Sequence, residues 1–246
     1  MNEVLTGINS VTEALMGRRK IKHIYILETR RDKRIDTITH LAEKKGVYVQ
    51  YVNKQQLLQM SGKVNNQGVV AFTESYKYAD LNEILQLAQD RGEDPLILIL
   101  DGLEDPQNLG SIIRTAECAG VHGIVIPRHG ATEVSDAVAR ASAGAVEHFL
   151  IAREVNLVNV IKDLKKEGLW IVGADTGAES NFFSVSFPEA LALVIGSEGK
   201  GIRRLVKENC DYLVKIPMLG KLNSLNASVS AALLIYEVLR QRIVKP

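Results

Sequence analysis

The chain has 246 residues, 46% of them hydrophobic and 24% charged, with a formal net charge of +1, so it can hold one large domain or two smaller ones, and net charge alone argues for no nucleic-acid partner. Its two cysteines, Cys118 and Cys210, exclude a disulfide framework, and neither has a metal-ligand neighbour at CxxC spacing, so no metal is expected. The start, MNEVLTGINS, has no apolar signal core and no run reaches transmembrane length, so the expectation is a cytoplasmic protein without membrane contact.

Residues 1–74 read as a small α/β module. Ile8–Leu15 has helical character, with Asn9 or Ser10 as cap and Glu13 three residues after Ser10. Ile21–Leu27 alternates as a strand does. Arg31–Lys45 carries Ile35, Ile38, Leu41 and Ala42 on one helical face. Val47–Val52 is a strand, Lys54–Met60 a helix and Gly68–Phe72 a strand. Basic residues outnumber acidic ones in this module. They gather at Arg18–Lys22 and Arg30–Arg34, with Lys44, Lys45, Lys54 and Lys63 beyond. Such clusters supply phosphate contacts to nucleic acid; a solvated face is the plainer reading.

The polar, aperiodic stretch 75–80 reads as a linker, and 81–246 as a second domain. Leu81, Ile84, Leu85 and Ala88 line a helix that ends at Gly92, and Leu96–Leu100 is an apolar strand. A loop follows, with Asn108 as the candidate cap of a helix running to Ala119. Gly123–Pro127 is a strand, Val134–Ala145 a helix rich in small residues, and Phe149–Ala152 a strand. Val155–Glu167 is a helix, and Leu169–Ala174 a strand leading into Asp175-Thr176-Gly177. Strands alternating with helices of similar length give βαβ units and a parallel sheet.

The chain culminates in Leu191–Glu237. Leu191–Ile195 is a short apolar run bounded by Gly196, which reads as a buried parallel strand. Gly196, Gly199 and Gly201 then permit a sharp turn or a close approach to a ligand. Neither GxxxxGK[ST] nor GxGxxG is present. Tyr212–Ile216 is a second strand, a loop containing Gly220, Ser224 and Asn226 follows, and Ala227–Leu239 is apolar on nearly every face, as a buried helix would be. Ligands bind at the carboxyl ends of strands in open α/β sheets, so these two loops are the leading site.

Three motifs carry candidate chemistry, each beside a plainer reading. Asn108 and Arg114 stand at a strand's carboxyl end, where an arginine can grip a phosphate bidentately; the plainer reading is a cap and an Arg114–Glu117 helical pair. Glu198 lies in the glycine turn, or is simply an exposed loop carboxylate. Ser224 and Asn226 precede the last helix, where N-capping alone would explain them.

Taken together, DPQNLGSIIRTAECAGVHGIVIP, LVIGSEGKGI and VKIPMLGKLNSLNASVSAALLIYE closely resemble, in order and separation, the three motifs of the SpoU (TrmH) family of RNA ribose 2′-O-methyltransferases. GINSVTEAL and NNQGVVAF resemble the accessory RNA-binding module of the branch that includes a bacterial ribosomal RNA guanosine enzyme. Asn66 stands where that branch often has His. The resemblance covers nearly the whole chain. It implies a trefoil knot in the parallel-sheet domain, S-adenosylmethionine bound in the knot, and a homodimer with the site at the subunit interface. It places the cofactor's adenosine against Gly196, Ile216 and Leu225, with Thr176 closing the slot. It makes Arg114 the catalytic residue, with Asn108, Glu198, Ser224 and Asn226 ordering Arg114 and the loops. A guanidinium stays protonated in proteins, so orienting the ribose hydroxyl and stabilising developing charge suit Arg114 better than acting as base. The implied substrate is a guanosine of 23S ribosomal RNA. The rival readings are a transfer-RNA guanosine methylase, a resistance methylase acting on another ribosomal site, and a non-enzymatic RNA-binding assembly factor.

Overall fold

The computed structural model describes residues 2–62 and 64–244, so the expected phosphate contact Lys63 lies outside the described residues. Contacts divide the chain into two compact units, Met1–Lys77 with Glu133–His148, and Tyr78–Thr132 with Phe149–Pro246.

The first unit is built on four strands, β1 (Asn2–Thr6), β2 (Ile21–Leu27), β3 (Tyr48–Val52) and β4 (Val69–Glu74), in the order β1-β4-β2-β3. β4 is antiparallel to both neighbours, and β2 and β3 are parallel. The helices α1 (Ile8–Met16), α2 (Lys33–Lys44) and α3 (Lys54–Ser61) accompany them. Val69, Val70 and Ala71 are all buried because the sheet is covered on both faces. Leu57 of α3 packs with Val52 and Val70 on one of them.

The sequence reading missed β1 and misplaced the cap of α1. The cap position is Gly7, which has no side chain to offer. Instead the Ile8 N–H donates to Gln67 Oε1 at 3.1 Å, from a loop about sixty residues away. Asn66 is committed to the same loop: its Nδ2 donates to Ser61 Oγ at 2.7 Å, and its Oδ1 accepts from the Gly68 N–H at 2.9 Å.

The stretch 133–148, expected in the second domain, groups with the first unit. Its helix is shorter than expected and is followed by a 3-10 turn over Ala145–Glu147. Two polar anchors explain the grouping. Asp136 accepts from the Thr6 N–H at 2.7 Å and the Thr6 hydroxyl at 2.9 Å. Glu147 accepts from Arg19 Nε at 3.0 Å, and both side chains are buried. Gly144, at φ +90°, completes the fit, because a Cβ there would lie 2.5 Å from Glu13 Cγ. Arg19 is therefore no RNA contact, contrary to its place in the basic cluster: it is consumed by Glu147 and Glu3.

In the second unit, seven strands form one sheet. They are β5 (Leu96–Asp101), β6 (Gly123–Pro127), β7 (Ile151–Glu154), β8 (Trp170–Ala174), β9 (Ser180–Asn181), β10 (Leu191–Gly196) and β11 (Tyr212–Lys215). The order is β7-β6-β5-β10-β8-β11-β9, and every pairing is parallel. The helices are α4 (Leu81–Arg91), α5 (Pro106–Cys118), α6 (Asp136–Ala141, grouped with the first unit), α7 (Leu157–Lys166), α8 (Arg204–Glu208) and α9 (Ala227–Val244). Ile84, Leu157, Ile161 and Val206 cover the face carrying Ile97, Ile99, Ala192 and Val194. Alternation turns Leu98, Leu193 and Ile195 the other way, where α9 packs on β10 and α5.

Candidate active site

β5, β6 and β7 extend to one side of β10, and β8, β11 and β9 to the other. The strand order reverses at β5 and β10, and such switch points leave a crevice at the carboxyl ends. β5 and β10 run in register from Leu96–Leu191 to Asp101–Gly196, so their ends finish level.

The loop after β10 folds back on itself. Ser197 and Gly201 exchange backbone hydrogen bonds of 3.2 and 2.9 Å. A Cβ on Gly196 would lie 2.1 Å from the Gly201 carbonyl carbon, so only glycine fits at the strand's last position. A buried carboxylate pins the far end of this loop: Asp101 accepts from the Arg203 N–H at 2.7 Å and from Arg203 Nε at 2.6 Å. The sequence reading did not single out either residue. Its available signal was a charged residue ending the apolar run LILIL.

The folded-back loop is one wall of a cavity of about 410 Å³, within the roughly 300–1,000 Å³ of small-molecule sites. Thr176, Gly196, Ile216 and Leu225 all line it, as do Glu198 and Ser224. Ile195, Met218 and Ala227 add apolar surface, and the glycine loop presents backbone groups.

Beside the cavity three of the expected residues meet. Asn108 Nδ2 donates to Glu198 Oε1 at 3.1 Å. Asn226 Nδ2 donates to Asn108 Oδ1 at 2.8 Å and to Glu198 Oε1 at 2.7 Å. The Ala227 N–H adds a bond of 3.3 Å to the same carboxylate oxygen. Glu198 is thus held by neutral donors from α5 and from the start of α9, which ties the glycine loop to both helices. Asn226 also caps α9, its Oδ1 accepting from the Ser228 N–H at 2.9 Å. Asn108 itself is no cap: Asp105 caps α5, accepting from the Gln107 N–H, Pro106 starts the helix, and Asn108 lies buried in its first turn.

Arg114 is not drawn into this cluster. It stands exposed on α5, and its side chain makes no hydrogen bond or ion pair with any described residue, Glu117 included. Nor is α9 buried all round. Ala231, Leu234, Ile235 and Val238 face the core, while Val229, Leu233 and Tyr236 are exposed. With Ser111, Thr115 and Phe182 these three line a groove of about 570 Å³ between α5 and α9.

Two other groups near these strands are excluded as nucleophiles. Burial pushes the Cys210 thiol up to about 12, and burial with the Asp211 charge pushes the Tyr212 hydroxyl to about 12. Both stay protonated. Among the described residues no group of three His, Cys, Asp or Glu side chains could hold a metal ion, and no helix is long and apolar enough to cross a membrane.

A parallel sheet with a polar cluster beside a cavity at its switch point defines a class of α/β enzyme that binds a small cofactor. The chain belongs to the SpoU rRNA methylase family, whose model matches residues 95–236. A second model, RNA 2′-O ribose methyltransferase substrate binding, matches residues 4–79. The chain is 47% identical over 242 residues to the "Putative TrmH family tRNA/rRNA methyltransferase YacO" of Bacillus subtilis (strain 168), covering 98% of this chain and 96% of the relative. It is 42% identical to the protein named "Putative TrmH family tRNA/rRNA methyltransferase" in Staphylococcus haemolyticus (strain JCSC1435), covering 97% and 96%. Among solved structures it is similar to the SpoU methyltransferase AviRb from Streptomyces viridochromogenes in complex with AdoMet, with a TM-score of 0.85, 25% identity, and 100% and 92% of the two chains covered. The AdoMet-bound rRNA methyltransferase from Sinorhizobium meliloti superposes with a TM-score of 0.81 at 25% identity, covering 99% and 88%. The chain is accordingly an RNA methyltransferase.

Proposed function

We propose that this protein transfers the methyl group of S-adenosylmethionine to a ribose 2′-hydroxyl of RNA in the cytoplasm, and that its target is a guanosine of 23S ribosomal RNA. The observation that carries the reading is the Asn108–Glu198–Asn226 cluster beside the cavity lined by Thr176, Gly196, Ser224, Ile216 and Leu225. Ile216 and Leu225 suit the flat, apolar faces of an adenine, and the backbone around Gly196 supplies its few directed hydrogen bonds. The Glu198 carboxylate is already engaged by three donors, so it braces the glycine loop rather than binding cofactor.

When bound, S-adenosylmethionine supplies an electrophilic methyl group on a sulfonium. The chain's own part is to bring the ribose oxygen in line and manage its proton. Arg114 grips the phosphate beside the target ribose and stabilises negative charge as it develops on the 2′-oxygen. The proton of the 2′-hydroxyl, held in place beside Arg114, would pass to the phosphate or to water. Asn108, Ser224 and Asn226 keep the loops in the geometry this requires.

Arg114 reaches that position in a homodimer. It shares a face of α5 with Ser111, three residues earlier, and Ser111 lines the exposed groove against Val229, Leu233 and Tyr236 of α9. A second copy covering this apolar face completes each cavity with its partner's arginine. Transfer-RNA guanosine is the alternative substrate, since the curated relatives are named for both tRNA and rRNA. Mapping ribose methylation in total RNA from a strain lacking the gene decides between them: loss of one ribosomal 2′-O-methylguanosine is expected, and loss confined to transfer RNA would reassign the substrate.

A further inference from the structure

The first unit carries an aromatic–arginine pair that nothing in its own packing uses. β3 is one of the two outer strands of its sheet, and Tyr51 near its carboxyl end is 42% exposed. The Arg31 guanidinium lies over the Tyr51 ring, 5.2 Å from its centroid. Arg31 makes no hydrogen bond or ion pair with a described residue, so its charge serves no other group.

The loop that presents Arg31 is fixed on both sides. The Glu28 N–H donates to the Val52 carbonyl at 2.9 Å, and the Arg30 N–H to the Leu27 carbonyl at 2.8 Å. Arg30 Nε donates to Asp32 at 2.9 Å, and its stem leaves no room for a Cβ on Gly68. Asp32 also caps α2. Arg30 and Asp32 therefore neutralise each other and hold the loop. Arg31 is left projecting beside Tyr51, and the exposed Lys33 and Lys54, at the starts of α2 and α3, have no acidic partner among the described residues.

We propose that Arg31 and Tyr51 form a stacking platform for an unpaired base of the RNA substrate, with Lys33 and Lys54 receiving the flanking phosphates. The inference rests on the reading of the chain as an RNA methyltransferase and adds how the first unit selects its RNA. Guanidinium planes and aromatic rings are the surfaces on which unpaired bases of RNA stack. A stacked base carries no net charge, so the aromatic half of the platform binds independently of salt, while the cations bind through phosphate. A duplex keeps its bases stacked on one another, so it offers the Tyr51 ring nothing and leaves only its phosphates to Arg31 and the lysines.

The test uses the full-length protein, a 12-nucleotide single-stranded RNA of mixed sequence, and the same RNA annealed to its complement. Tyr51→Ala should weaken single-strand binding by roughly 5- to 150-fold, the range for losing one base–aromatic stack. Its salt dependence should stay unchanged, and Tyr51→Phe should restore affinity. Arg31→Ala should weaken binding and also lower the salt slope by about 1. Duplex binding should respond to Arg31→Ala alone. The platform is overturned if Tyr51→Ala binds the single strand as the parent does, or if it weakens the duplex equally. Methyl transfer to ribosomal RNA by the parent, measured alongside, separates the two ideas. Transfer with indifferent Tyr51 and Arg31 variants sinks the platform alone, whereas no transfer sinks the enzymatic reading.

Discussion

In the first unit Arg19 lies buried between Glu3 and Glu147, whereas in the second Arg114 stands exposed on α5 without a partner among the described residues. The corresponding carboxylates differ in the same sense. Glu147 is buried against a full cation, and burial pushes its carboxyl up more than Arg19 pulls it down. Glu198 is held by two amide side chains and a backbone N–H at the rim of a cavity. A buried cation whose charge is spent on a carboxylate can only hold structure. A loop braced by neutral donors makes no demand on the charge of Arg114, as its proposed role toward substrate requires.

That contrast breaks most visibly at Arg114. Arg114→Ala should lower methyl transfer at least about 100-fold, the loss of roughly 2.7 kcal/mol of transition-state stabilisation, with cofactor affinity within a few-fold by calorimetry. A variant keeping more than about a tenth of the rate, a shift of only about 1.4 kcal/mol, would remove Arg114 from the chemistry. The interface reading sharpens it. At a cofactor concentration that leaves the weakened Asn226→Ala cavity empty, Arg114→Ala and Asn226→Ala proteins are each inactive alone and should recover about a quarter of the parental rate when unfolded and refolded together, because half the dimers then carry one intact site. No recovery would place Arg114 in its own subunit's cavity.

Arg19→Ala should do the reverse, leaving transfer chemistry untouched but costing about 3–5 kcal/mol of stability, the usual result of stranding a buried charge. Denaturant unfolding followed by a probe in the first unit measures it. A cost below about 1 kcal/mol, the scale of an exposed pair, would show that the pair does not hold 133–148. Asn226→Ala should have a smaller effect on stability, about 1 kcal/mol for the lost cap, together with weaker cofactor binding as the glycine loop loses a brace. Unchanged cofactor affinity would limit Asn226 to capping.

The smallest expected effect is at His122. The Leu96 N–H donates to its Nδ1 at 3.0 Å, so its proton sits on Nε2, 3.0 Å from Glu93. Burial, the largest influence, holds its pKa below the ordinary 6.5 despite Glu93. The folded chain therefore takes up this proton less readily than the unfolded chain. The resulting stability is present above pH 6.5 and declines as pH falls below that value. Melting curves between pH 5 and 8 should show a decline on the acid side that is reduced in His122→Gln; identical profiles would contradict the assignment.

Much of the large sheet was legible because parallel strands buried on both faces read as apolar runs: LILIL, GIVIP and LALVI are β5, β6 and β10 with little adjustment. β1 was not, because NEVLT is short and half polar and is a strand only by pairing with β4. The cap of α1 was illegible because it comes from Gln67, far along the chain. Asn108 was misread because Asp105 and Pro106 start α5 earlier. α9 read as buried all round because it is apolar on nearly every face, and composition could not say that only one half meets the core. For the site, the motifs located Glu198, Asn108 and Asn226, yet their shared hydrogen bonds span 90 and 118 residues and arise only from the order of the strands.

The most direct measurement is the chemical position of the transferred methyl. Purified protein is incubated with unmodified 23S ribosomal RNA and S-adenosylmethionine labelled in its methyl group, and the RNA is hydrolysed in alkali. A 2′-O-methyl group blocks cleavage at its own linkage, so the label should appear in an alkali-resistant dinucleotide containing guanosine. Label released in mononucleotides, as from a methylated base, or no label in the RNA at all, would contradict ribose methylation by this chain.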